Sequence, residues 1–367
     1  MKSPILHLVI MYLMMLINAP INEALATTPI DLEQVVIAEC GPDGYRINGG
    51  CEVRLGTGTY TVSRPIKLGH CEAGSIGTRN SVTITGQGAG LLTQVPRFTT
   101  AGTTLQWAGP VGGTMFEICG SWSTLQNLTL DAIGTSTAIR LIANNASSAI
   151  SHFPRLANLV IDGASTGIEI QGAVSDDQVD FVDMERISIR NVDICYSQDS
   201  GQSVLNHARL IECVSRKKGF ELRGGSLTCD TCYVGNLGVD PTFIGFHLTR
   251  SSKQDGRNLA HHHMSIRAAH MELRSGRFMV GDANTRYPFS VVDSSFSLQC
   301  DPGTASTCEM TVIDWHEQAP VIIQGNVFQG SNPSGKKPTP RMCSTSGWRS
   351  TGNMVKGEVQ PIIWGCP

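Results

Sequence analysis

The sequence predicts an all-β fold, a right-handed single-stranded parallel β-helix, from three observations. A short phrase, Gly or Ala followed by apolar–variable–apolar, recurs as Ala138-Ile139-Arg140-Leu141, Gly167-Ile168-Glu169-Ile170, Gly219-Phe220-Glu221-Leu222 and Gly245-Phe246-His247-Leu248. Whole blocks keep register with it: Leu125-Gln126-Asn127-Leu128-Thr129-Leu130-Asp131 matches Leu156-Ala157-Asn158-Leu159-Val160-Ile161-Asp162, and more loosely Met184-Glu185-Arg186-Ile187-Ser188-Ile189-Arg190. Such self-similarity is the mark of a solenoid. Finally, period-two alternation dominates the short apolar runs, while 39 glycines and 17 prolines disfavour long helices. Short strands joined by turns, with no helix between them, wind into a coil around one continuous core. An antiparallel sandwich also uses short strands, but it predicts turns about every 8–12 residues rather than matched blocks.

The chain opens with Lys2, an apolar run from Pro4 to Ile17 and the small-x-small pattern Ala24-Leu25-Ala26. That run is short for a bilayer span, so residues 1–26 read as a secretory signal peptide, and the mature chain as secreted or periplasmic with no later membrane span. Residues 27–50 form a lead-in rich in turn formers, residues 27–330 the β-helix, and residues 331–367 a linker and C-terminal cap holding Cys343, Trp348, Trp364 and Cys366. Twelve cysteines in an oxidising compartment imply disulfides. Local pairing joins Cys40 with Cys51, Cys300 with Cys308 and Cys343 with Cys366. Cys229 and Cys232 form a C-x-x-C without a thioredoxin-like context or a second such motif, and so read as a structural disulfide. A net charge of −3, with only 16% charged residues and no basic stripe, leaves a nucleic-acid partner without electrostatic support.

Two short strands come first, Glu52-Val53-Arg54-Leu55 and Gly58-Thr59-Tyr60-Thr61-Val62, then Pro65-Ile66-Lys67-Leu68 and Val82-Thr83-Ile84-Thr85-Gly86-Gln87-Gly88. This stretch, with its Gly-Thr-Tyr-Thr-Val core, resembles the opening coil of the pectate-lyase-like β-helix superfamily of polysaccharide lyases, polygalacturonases and tailspike-type depolymerases. The repeats extend the resemblance to roughly residue 330. It implies the fold and a carbohydrate-active role. The superfamily's catalytic motifs do not carry over. Of the polygalacturonase set only Asp176-Asp177 is present, and Ile313-Asp314-Trp315-His316 has the order of the lyase Trp-Ile-Asp-His wrong.

From residue 105 the Gly-apolar-x-apolar phrase is expected to form the strand of one sheet, and the L-x-N-L-x-L phrase the strand of the next. Segments such as Val192-Asp193-Ile194 and His270-Met271-Glu272-Leu273 would supply a third. Later coils use Arg277-Phe278-Met279-Val280, Met310-Thr311-Val312-Ile313 and Val321-Ile322-Ile323-Gln324.

Alternation sets the candidate site. With Ile139, Ile168, Phe220 and Phe246 inward, Arg140, Glu169, Glu221 and His247 face outward, followed two residues later by Gln171, Arg223 and Thr249. Adjacent coils lie about 4.8 Å apart, so Glu221 and His247 should be neighbours with Arg223 beside them. A carboxylate, an imidazole and a guanidinium on one face make an acid–base and anion-binding group. The following loops would wall that face. Asp176, Asp177 and Asp180 offer oxygen ligands for Ca²⁺, although no cofactor is required. Arg250, His261 and His263 are further substrate-binding candidates.

Two mechanisms fit. In β-elimination of a uronic-acid glycan, His247 is the base, Arg223 neutralises the carboxylate, and Glu221 orients the imidazole. In hydrolysis, Glu169 and Glu221 flank the glycosidic bond; with one coil between them their strands stand about 9.6 Å apart. The sequence therefore predicts a secreted enzyme acting on an acidic polysaccharide. A non-catalytic glycan-binding β-helix or adhesin is the reading from another class. Oligomeric state is left open.

Overall fold

A computed structural model describes residues 30–41, 50–69, 81–89, 102–142, 150–172, 178–200, 203–237, 240–249, 263–281, 289–299, 309–316, 321–331, 337–345, 347–357 and 359–366. Contacts divide the chain into residues 1–30 and 31–367. The predicted signal segment lies outside the described residues.

The second unit is a parallel β-helix. Among the described residues, the strands of successive coils pair in parallel with their equivalents one coil later, which excludes the antiparallel sandwich. Three faces result. Face I runs from Cys51–Arg54 through Val82–Thr85 and onward to Trp348–Thr351. Face II runs from Gly58–Val62 through Thr103–Trp107 to Met354–Gly357. Face III runs from Ile66–Leu68 through Thr114–Ile118 to Ile363–Trp364. The strands Asp183–Asp199 and Asn206–Leu222 each pass unbroken through all three faces. The ladders continue beyond residue 330, so Thr339–Ser344 and the strands after it pair as coils.

Two sequence phrases acquire physical causes. The L-x-N-L-x-L block is not one straight strand. It bends between faces I and II at its central residue, which adopts a left-handed conformation: Asn127 at φ 59°, Asn158 at φ 52° and Arg186 at φ 53°. Asn tolerates this region better than most residues, and Asn158 Nδ2 donates to Asn127 Oδ1 at 2.9 Å, tying one bend to the next. Val192-Asp193-Ile194, assigned to a third sheet by its sequence, spans the corner from face II to face III. Asn158→Ala is expected to lower stability by about 1–2 kcal/mol through the lost hydrogen bond and the left-handed strain. A urea titration monitored by circular dichroism checks this.

The recurring glycine of the other phrase sits where two consecutive residues turn inward. A Cβ on Gly219 would stand 2.4 Å from the Gly245 carbonyl oxygen, and one on Gly167 would stand 2.6 Å from Ile189 Cγ2. The residue after it enters an aromatic column of the core: Phe220 and Phe246 stack with centroids 5.0 Å apart, and Tyr196 and Phe278 lean against them at 5.8 Å. All four are buried.

Among the described residues one helix occurs, Leu32–Cys40, within the lead-in that the sequence marks as rich in turn formers. Asp31 caps it by accepting from the Glu33 N–H, and Leu32, Val36 and Cys40 are buried, one turn apart. Nine residues give too short a periodic signal to stand out, and the tertiary packing supplies the stability. Disulfides join Cys40–Cys51, Cys229–Cys232, Cys343–Cys366 and Cys195–Cys213. The last pair is not legible in the sequence because its partners are brought together only by coil stacking. Cys300 and Cys308 lie outside the described residues.

Candidate active site

Face III presents an outward row of polar side chains set by the ladder. Glu117 pairs with Arg140, Arg140 with Glu169, Glu169 with Ser197, Ser197 with Glu221, and Glu221 with His247. One coil, carrying Ser197, separates Glu169 from Glu221. The N-terminal half of the row is closed by ion pairs: Arg140 Nε lies 2.8 Å from Glu169 Oε2 and its NH1 lies 3.9 Å from Glu117.

Glu221 is the centre of the other half. Its side chain is 1% exposed yet surrounded by cations. Arg223 donates from NH2 to Oε2 at 2.8 Å, Lys218 donates to Oε1, and His247 Nδ1 stands 3.4 Å from Oε1. Burial alone would raise the Glu221 carboxyl. The close approach of His247 Nδ1 and the hydrogen bond from Lys218, with the charges of Lys218 and Arg223, outweigh it and lower the group from 4.5 to about 2. Glu221 is therefore a fixed anion. It can orient its neighbours, but it has no proton to give and almost no surface to offer a substrate. With Nδ1 turned to Glu221, His247 has Nε2 on the opposite side of its ring. Arg223 is 37% exposed, and its NH1 lies 3.9 Å from Asp199. Lys218 is the member that sequence reasoning misses. Simple alternation from Phe220 makes residue 218 inward, but the inward turn at Gly219 reverses its direction.

The other candidates disperse. Gln171 pairs with Asp199, and Thr249 donates its N–H to Leu222 O, so both border the same face. His263 instead opens a strand of face I, paired with Ser226, and burial holds its ring toward the neutral form. Asp180 is buried, and its Oδ1 accepts from the Val204 N–H at 2.8 Å, which engages it in the turn. Arg250, His261, Asp176 and Asp177 lie outside the described residues. Among the described residues, Asp314, His316 and Cys343 bring ligand atoms within 4.8 Å of one another, but the Cys343 sulfur is bonded to Cys366.

Folding also gathers aromatics that are scattered in the sequence. Trp122, Phe153 and Phe181, all left-handed residues at the turn leading to face I, stack at 4.2 and 4.7 Å. Phe153 is sandwiched between the other two, and Trp122, 57% exposed, ends the ridge.

No protein-family model matches the chain, and no curated protein does. Among solved structures, DFA-IIIase from Arthrobacter chlorophenolicus A6 in complex with GF2 aligns over 91% of this chain and 86% of its own, with a TM-score of 0.57 at 13% identity. A mutant of that enzyme in complex with DFA-III aligns over 93% and 85%, with a TM-score of 0.46 at 12% identity. The first of these supports the fold.

Proposed function

We propose that this chain is a secreted polysaccharide-active enzyme that cleaves an acidic glycan by β-elimination on face III. The observation that carries the reading is the buried Glu221 anion beneath His247 and Arg223. A carboxylate 3.4 Å from Nδ1 orients the imidazole, and Nε2 is assigned as the base. Arg223 supplies a guanidinium whose remaining donors can bind the uronate carboxylate. In the proposed step Nε2 removes the proton beside that carboxylate, and the C–H electrons form the ring double bond. The bond to the glycosidic oxygen breaks, and that oxygen takes a proton from solvent. An enzyme with the same kind of coil, DFA-IIIase, has been crystallised with GF2, which supports a ligand site on this scaffold without naming the ligand here.

Hydrolysis by Glu169 and Glu221 is the weaker chemistry. It needs one carboxyl protonated as the general acid, whereas Glu221 is held anionic and Glu169 is ion-paired to Arg140.

A screen of polyuronates and neutral glycans tests this. Products absorbing in the ultraviolet, formed from polyuronates only, are expected. Chelator should leave the rate unchanged, because Arg223 rather than a metal neutralises the carboxylate. New reducing ends without absorbance would replace elimination by hydrolysis, and no product at all would favour the non-catalytic binder.

A further inference from the structure

Beyond His247 the outward row of face III continues. His247 pairs with Val280, and Val280 pairs with Asp314. Two strand spacings, about 9.6 Å along the coil axis, therefore separate His247 from Asp314. The outward residue of the intervening coil is Val280, an uncharged and buried side chain, so no charged group of the row stands between His247 and Asp314. At the far side a second cluster rises. Asp314 accepts from Arg277 NH1 at 2.8 Å, and His316 Nε2 lies 2.8 Å from its other oxygen. Arg277 is 41% exposed and His316 51% exposed, so both reach solvent, whereas the carboxylate between them is 20% exposed. Arg277 also belongs to the same outward row as Lys218, through Ile244. On both sides of the Val280 coil the face thus carries donors held in place by a carboxylate: Lys218 and Arg223 on Glu221, and Arg277 and His316 on Asp314.

We propose that Arg277 and His316, anchored by Asp314, form a second subsite for an acidic sugar unit, so that a polyanionic glycan lies along the coil axis from Arg223 to His316. This rests on the functional reading above, and it adds the direction of the chain and a second point of charge recognition. The subsite binds and does no chemistry. It should therefore act on affinity and not on turnover.

Affinity electrophoresis tests it without requiring catalysis. Native gels are cast with polygalacturonate, with alginate, or with neutral dextran, and run with wild type, Arg277→Gln, His316→Ala and the face I control Arg54→Gln. Wild type and the control are expected to be retarded by at least one polyuronate and not by dextran. Each face III variant should bind about tenfold more weakly, the scale of one lost hydrogen bond to a charged group. Equal melting temperatures establish that the variants are folded. Variants retarded as strongly as wild type would overturn the subsite, as would a wild type that no acidic polymer retards. A wild type that is retarded but cleaves nothing would instead sink the catalytic role of His247 while the subsite stands.

Discussion

His247→Ala is expected to lower kcat on a polyuronate by about 10²–10⁴-fold, the range for removal of a general base, with KM little changed. The split follows from geometry. The uronate carboxylate is met by Arg223, which the substitution leaves in place on Glu221, whereas the imidazole engages only the proton being removed. An interaction made only in the transition state appears in kcat and not in KM. Loss of the imidazole leaves Glu221 with two cationic partners, Lys218 and Arg223, so the fold should survive. A melting curve run beside the kinetics separates a dead enzyme from an unfolded one. Full activity in His247→Ala would remove the residue from the mechanism. An equal fall in kcat/KM carried by a raised KM, with kcat unchanged, would make it a binding group.

Much of this arrangement is legible in the sequence alone, and the reason is mechanical. In a parallel coil the partner of residue i is the equivalent residue one repeat later, so the matched phrases containing Glu221 and His247 already contain their adjacency. What escapes is whatever breaks the period of two. At Gly219 two successive residues turn inward, which puts Lys218 outside and three residues from Glu221. At Asn127 and Asn158 a left-handed residue folds one apparent strand into two faces. Coil length also varies: Leu156 finds its partner Met184 after 28 residues, but Met184 finds Ala208 after 24. A fixed-period search therefore cannot pair Cys195 with Cys213, whose link depends on where one coil closes. In the sequence the Asp314–His316 pair shows only as a motif in the wrong order. Its relation to His247 passes through Val280, a residue with no chemistry of its own.

The same buried carboxylate that orients the site should also be a main point of acid lability. Glu221→Ala is expected to destabilise the fold by about 3–5 kcal/mol, because it leaves Lys218, Arg223 and His247 crowded around a cavity without the buried carboxylate that pairs them, Asp199 being near Arg223 alone. The pH dependence has a definite sign. The folded Glu221 carboxyl is depressed to about 2 from its ordinary 4.5, so the unfolded chain binds its proton first as pH falls. The stability Glu221 supplies is full above about pH 4.5 and is lost progressively down to about pH 2. Urea titrations of wild type and Glu221→Gln across that interval should therefore converge: a gap at neutral pH that closes as acid protonates the wild-type group. Two curves that stay parallel would show that the carboxylate's charge contributes nothing to the fold. Activity supplies the readout that a purely structural role would not give. Glu221→Gln keeps the shape but removes the anion facing Nδ1, and so loosens the orientation of the imidazole. Its kcat should fall while binding to a polyuronate gel, carried by Arg223, persists. If kcat held at the wild-type value in a folded Glu221→Gln protein, the carboxylate would be a strut of the coil and no part of the proposed elimination.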